Sequence, residues 1–390
     1  MTAETTGLPV LVLNAKFASK TDDLAEIDQA KRAKASRLLR WKRQEIARKL
    51  IPSFRVAKCC RVQVADVVQV LRSKEHHSAH YGKLSTCASV WVCPVCSAKI
   101  TERKRTEIAS ALASPLGKQY SKFIVTTTLQ HKSGDNSAVL VRALKDGKRQ
   151  FTSGGWYQRF SAKWQIVGGL YGNEFTYGKG TGCHFHTHDL IFSELAASDL
   201  NVKAIRDEYS ARFVDIMSQH GFYVSAEHGV AVEASNDAGA LYVAKMGLET
   251  RPKKSDKWGI DWEMAKGALK VSKGDRFTPF ELLDLYQAGD TWAGEMFKEF
   301  AQASKGLHQL RWGRGMRAAF GLGVEMTDEE IASAELDRDV KEFYNIARAR
   351  WQTICKRKLR GFTLEVAKDA TEELFESYLA GLEYLPEGMG

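Results

Sequence analysis

The stretch Gly182-Cys183-His184-Phe185-His186-Thr187-His188-Asp189-Leu190-Ile191-Phe192 sets three histidines at alternate positions and closes on an apolar triplet. Period-two alternation reads as a β-strand, with His184, His186 and His188 on one face and Asp189 on the other. Just upstream, Asn173-Glu174-Phe175-Thr176-Tyr177 reads as a second strand. Gly178-Lys179-Gly180-Thr181-Gly182 is acceptable chemistry for the hairpin loop between them. A hairpin centred on Gly180 places Glu174 opposite His186. Imidazoles two residues apart can converge on one divalent cation, and a carboxylate across the ladder completes the set. Glu174, His186 and His188, with His184 beside them, are the candidate ligands, and Mg2+ or Mn2+ suits an oxygen–imidazole donor set.

The chain has 390 residues, 44% hydrophobic and 27% charged, which is room for two or three packed units of an ordinary globular protein. No apolar run is long enough to span a membrane. The patch from Leu8 to Leu13 lacks a basic start and a small-residue cleavage site, so the expectation is a cytoplasmic protein. The net charge of +10 is concentrated: Lys31 to Arg61 holds twelve Lys/Arg against one acid, Glu45. A localised basic block implies a polyanionic partner, most simply nucleic acid; a solvated helix face is the bland alternative.

Five of the seven cysteines fall in residues 51–117. Cys93-Pro94-Val95-Cys96 is a tight knuckle, with Cys59, Cys60 and Cys87 before it. In a reducing compartment such clusters hold metal more often than disulfides. The chosen set for a structural Zn2+ is Cys59, Cys87, Cys93 and Cys96. Cys60 is an alternative to Cys59, and His76, His77 or His80 an alternative to one thiolate. A thioredoxin-like pair is disfavoured by the extra cysteines and the missing βαβ pattern.

Along the chain, Thr21–Leu50 reads as a helix carrying Trp41, Ser97–Ala113 as a helix, and Phe123–Leu129 as a β-branched strand. Residues 156–167 and 198–220 read as helices, and Phe222–Val224 and Val230–Glu233 as strands. A helix is expected from about Asp237 to Met246, with Tyr242 and Lys245 on one face. Residues 251–276 read as a linker. Capping boxes begin helices at Thr278 and Thr327. The basic–aromatic run Arg311–Arg317 is a candidate phosphate contact. Helices are expected over 338–359 and 371–379.

His186-Thr187-His188 followed by apolar residues resembles the histidine–hydrophobic–histidine (HUH) motif of rolling-circle replication initiators, the plasmid Rep proteins. Thr187 is less apolar than the usual middle residue. The likeness runs from about Cys59 to Glu330 and fits plasmid initiators better than relaxases or transposases. It implies that Thr126 and Thr128 lie in a core strand beside the histidines, and that Trp91–Cys96 belongs to a zinc-ribbon-like segment. It further implies that Tyr242 of Tyr242-Val243-Ala244-Lys245 is the nucleophile, with Lys245 steadying charge. Four residues on, where some initiators carry a second tyrosine, stands Met246, so the enzyme would use one tyrosine. For the tetrapeptide alone, a half-buried tyrosine with a snorkelling lysine is the simpler reading.

The expected fold is therefore α+β, with a central antiparallel sheet and flanking helices. The expected parts are a basic helical arm (1–50), a zinc-binding segment (51–117), a nuclease palm (118–250) and a helical C-terminal region (251–390). The expected function is origin nicking through a 5′-phosphotyrosyl intermediate, followed by rejoining. DNA is then the partner, with a host helicase and polymerase, since no phosphate-binding Gly-Lys-Ser/Thr loop is present. The rivals are an HUH transposase or relaxase, and a non-catalytic zinc-dependent DNA-binding protein.

Overall fold

The histidine-bearing segment is a strand, and it lies in the middle of an antiparallel sheet. The computed structural model describes residues 22–73, 77–235, 276–334 and 340–384. In chain order the elements are α1 (Asp22–Leu50), β1 (Val67–Ser73), β2 (Ser78–Gly82), α2 (Pro94–Ala113), α3 (Pro115–Gln119), β3 (Ser121–Thr128), α4 (Ser137–Phe151), α5 (Gly154–Lys163), β4 (Ile166–Gly178), β5 (Gly182–Ser193), α6 (Val202–Gln219) and β6 (Val230–Ala234). Then come β7 (Arg276–Phe277), α7 (Pro279–Gln287), α8 (Thr291–Ala303), β8 (Leu310–Trp312), α9 (Met316–Ala319), α10 (Asp328–Ser333), β9 (Lys341–Ala347), α11 (Arg348–Lys356), α12 (Arg360–Asp369) and α13 (Glu372–Tyr384).

The larger sheet has the order β6-β3-β5-β4-β7, with β8 also paired to β4. β4 and β5 form the expected hairpin, closed by a Thr181 N–H to Gly178 carbonyl bond of 3.2 Å. Gly182 sits at φ +73°, a conformation that glycine adopts without steric cost. The two faces of β5 bury differently. Leu190 and Phe192 pack with Ile108 and Leu112 of α2, whereas Cys183, Phe185 and Ile191 join Leu144 of α4 and Phe213 of α6 in the main core. That alternation fixes the register, because a one-residue slip would turn the histidines into the apolar core.

A second antiparallel sheet, in the order β2-β1-β9, joins residues far apart in the chain. Val68 and Val70 from it pack with Trp351 and Ile354 of α11 and with Phe375 and Leu379 of α13. This unit corrects the expected C-terminal helix over 338–359. Its first half is strand β9, because Phe343, Tyr344 and Ile346 suit a pleated surface and β1 offers a partner.

Three smaller expectations are also corrected. α5 ends at Lys163, and Gln165 takes φ +45°, so the chain turns into β4 before residue 167. Residues 222–224 form no strand; Gln130 N–H bonds the Tyr223 carbonyl, and Phe222 N–H turns back to the Met217 carbonyl at the end of α6. The helix expected from 198 begins at Val202, capped by the Asn201 side chain. Both capping boxes, at Thr278 and Thr327, are present.

Candidate active site and metal centres

Strand register gathers the first site. In the β4–β5 ladder Glu174 pairs with His186, Thr176 with His184, and Gly172 with His188. Gly172 has no side chain to compete for the space facing His188. Glu174 Oε2 therefore reaches both rings, 2.8 Å from Nε2 of His186 and 3.0 Å from Nε2 of His188. The three donor atoms lie within 4.8 Å of one another. Glu174 and His186 are buried, and the His188 side chain is 13% exposed, so the group opens to solvent at His188.

β3 supports this group from behind. Thr126 pairs with His188 in the β3–β5 ladder, and its hydroxyl lies 2.9 Å from Nδ1 of that ring. A hydroxyl both donates and accepts, so it serves either tautomer. With Nδ1 protonated and donating to Thr126, Nε2 turns its lone pair toward the point that Glu174 faces.

The electrostatics suit a cation. Burial pushes the Glu174 carboxyl up, but the charge and hydrogen bonds of His186 and His188 outweigh it and hold the group well below the usual carboxylate range. Burial pulls His188 below the usual imidazole value against the opposing pull of Glu174. An ionised carboxylate beside a neutral imidazole is the protonation state that metal binding requires. Among the described residues, Nδ1 of the buried His186 has no hydrogen-bond partner.

His184 shares the histidine face but stands outside the group of three. Its ring lies 4.8 Å from that of His186 and 4.8 Å from that of His131. His131 follows β3, with Nδ1 3.1 Å from the Leu129 carbonyl. It belongs to no spacing pattern, so the sequence does not mark it. On the opposite face Asp189 pairs with Lys148 of α4, which also reaches Thr187 and Tyr209. That cation fixes the back of β5, and no local signal announces a partner 41 residues away.

The second site gathers four thiols. Cys59, Cys87, Cys93 and Cys96 are all buried, with sulfurs within 4.8 Å of one another. The Cys59–Cys96, Cys59–Cys93 and Cys87–Cys96 separations are 3.5, 3.7 and 3.7 Å. Ligands at ~2.3 Å from a tetrahedral Zn2+ stand about 3.8 Å apart, so these are near the edges of a tetrahedron. Cys60 lies 3.7 Å from Cys59 but outside the group of four. Burial pushes the Cys93 thiol up; hydrogen bonds from the other three cysteines and from the Cys96 N–H outweigh it and hold it well below the usual thiol range. Gln44 of α1, fully buried, adds a bond from Nε2 to Cys93 Sγ at 3.2 Å. Both groups, the four thiols and the Glu/His/His set, can hold a metal ion.

The basic block is partly spent inside the protein. Arg37 pairs with Glu365 of α12, Arg43 with Asp284 of α7, and Arg61 with Glu45. Lys31, Lys34, Lys42 and Lys49 are exposed. Trp41 is packed, edge-on to Tyr81 and under the Arg360 guanidinium. In the run after Arg311, Trp312 is buried, and Arg311 lies over the Tyr171 ring.

Tyr242 and Lys245, with Met246, lie outside the described residues. Their flanks are anchored at opposite edges of the larger sheet: Ser235 N–H bonds the Lys122 carbonyl beside β6, and Arg276 pairs with Gly178 in β7. Among the described residues, no helix is long and apolar enough to cross a membrane.

No family model matches the chain, and no solved structure matches it. It is 23% identical over 343 residues to the Protein rep of Streptomyces lividans, a match covering 71% of this chain and 74% of that protein. It is 29% identical over 132 residues to a neomycin resistance protein of Streptomyces cyanogenus, covering 28% of this chain and 30% of that protein.

Proposed function

We propose that this chain is a plasmid rolling-circle replication initiator, a metal-dependent single-tyrosine DNA endonuclease and strand transferase of the HUH class. The observation that carries the reading is the convergence of Glu174 Oε2 on Nε2 of both His186 and His188. The likeness to a protein named Protein rep over most of both chains supports a role in replication.

Glu174, His186 and His188 would hold Mg2+ or Mn2+, which when bound supplies Lewis-acid polarisation of a phosphate oxygen. Tyr242 supplies the nucleophile. Its phenol oxygen bonds to phosphorus and loses its proton, while the bond from phosphorus to the 3′-oxygen breaks. The 3′-oxygen leaves as a hydroxyl, and a 5′-phosphotyrosyl link remains. That link conserves the diester's energy, so rejoining is the same exchange run backwards. Lys245 steadies the charge on phosphate or phenolate. Chain reach supports the assignment: Ala234, at the end of β6, is two strands over and five ladder positions from the Thr128–His186 pair. That is about 20 Å; with the helix expected from about Asp237, the eight residues on to Tyr242 rise about 18 Å, and the tyrosine side chain extends that reach to the site. Cys59, Cys87, Cys93 and Cys96 would hold a structural Zn2+.

The deciding experiment incubates the protein with Mn2+ and single-stranded DNA, denatures it, and maps any adduct by peptide sequencing. DNA on Tyr242 is the expected result. DNA on another residue overturns the mechanism, and no adduct favours a non-catalytic DNA-binding protein.

A further inference from the structure

We infer that α11 is a duplex-DNA-binding face, separate from the histidine site. The inference takes its partner from the reading above, and its argument from the helix itself.

Residues 348–358 carry five Lys/Arg and no acid. Within α11, Arg348, Gln352 and Lys356 follow at i, i+4 and i+8, so they form one stripe. All three are exposed, as is Ala349. The opposite face is locked: Trp351, Ile354 and Cys355 are buried in the core of the smaller unit, and Trp351 Nε1 donates to the Arg61 carbonyl at 2.8 Å. The stripe is therefore held outward. Arg350, off the stripe, is engaged by Glu376 and Glu383 of α13. The next helix, α12, is packed inward; a side chain added at Gly361 would meet Trp41 at 2.6 Å.

Geometry and chemistry select the partner. An α-helix with its side chains is about 10–12 Å across, close to the ~12 Å width of the major groove. Arg348 and Lys356, about 12 Å apart along the axis, would reach phosphates at the two ends of the stripe, with Gln352 between them facing base edges, where glutamine pairs well with adenine. Single-strand binding relies on exposed aromatic platforms. The one aromatic among residues 348–358 is Trp351, which is buried. A duplex is the better fit.

The test uses the full chain with a mixed-sequence duplex of about 30 base pairs, read by fluorescence anisotropy over a salt series. Arg348→Ala/Gln352→Ala/Lys356→Ala should weaken duplex binding about tenfold or more at low salt and reduce the log–log salt slope by about 2. Adduct formation on a single-stranded oligonucleotide should stay at the wild-type level. If that variant melts early, Arg348→Gln/Lys356→Gln replaces it. Unchanged duplex affinity and slope would overturn the inference, as would an equal loss of single-strand affinity. Failure of the two readings is distinguishable: absent adduct with stripe-dependent duplex binding sinks only the nuclease, and normal adduct with stripe-independent binding sinks only this face.

Discussion

The hydroxyl of Thr126 lies 2.9 Å from Nδ1 of His188, on the side of the ring away from Glu174. It holds the ring whichever nitrogen carries the proton. Thr126→Val keeps the β-branched shape and removes that partner. Metal affinity, read by Mn2+ titration calorimetry, should fall about 10–100-fold with the fold intact. His186→Ala and His188→Ala should go further and abolish nicking. Wild-type affinity in Thr126→Val would remove the supporting role of the hydroxyl.

Acid should release the ion late. Protons compete with metal for an imidazole only below its pKa, and burial has moved His188 below the usual value. The part of any loss of Mn2+ affinity owed to His188, read as the difference between wild type and His188→Ala, should therefore begin only as pH falls below about 6.5. The same sign governs the metal-free protein. The unfolded chain takes up the His188 proton before the folded one does, so stability should drop as pH falls through that window. A His188-dependent loss that sets in above about pH 7 would contradict the shift.

The thiol cluster makes a different prediction. Protein purified without chelator should carry about one zinc per chain, bound apart from the Mn2+ site. Cys93→Ser should lower unfolding stability by more than about 3 kcal/mol. Zinc-free protein of wild-type melting temperature would refute a structural ion.

Arg360 is 1% exposed, and its guanidinium donates to Glu45 and to the carbonyls of Cys59 and Cys60. Arg360→Ala leaves Glu45 buried with one cation fewer. The expected cost is about 3–5 kcal/mol in urea unfolding, because a broken buried pair strands a charge. Zinc should leave the variant faster, since the loop bearing Cys59 loses two of its anchors. A cost below about 1 kcal/mol would show that Arg61 and Arg48, which also face Glu45, suffice.

On the proposed mechanism, Tyr242→Phe keeps the ring and deletes the atom that would attack phosphorus. Covalent adduct and nick should both vanish while DNA affinity, measured by anisotropy, persists. Residual adduct would point to another nucleophile.

The hairpin was legible because its signals are local. The period of two along His184–His188, the glycines around Gly180 and the resulting Glu174–His186 pairing all lie within twenty residues. The Cys93–Cys96 knuckle was legible for the same reason. The small sheet was not, since β1 and β9 are meaningless as strands until they meet, and Gln69 bonds Glu342 across 273 positions. The basic block misleads for a related reason: Arg37 and Arg43 look solvent-bound until their partners Glu365 and Asp284 arrive from the far end of the chain. His131 and Lys148 follow no spacing rule; only the folded strand sets one beside His184 and the other beneath Asp189.

The pairing of β1 with β9 also sets an order of events during synthesis. β1 leaves the ribosome early and must wait for β9. At ~5–20 residues per second, the 273 positions from Gln69 to Glu342 take roughly 15–55 s to translate. Throughout that interval β1 has β2 on one side and an open row of N–H and C=O groups on the other, a template for association with other nascent chains. Any chain broken off before residue 341 keeps that edge open for good. Premature termination would therefore yield a sticky fragment in place of a smaller working protein.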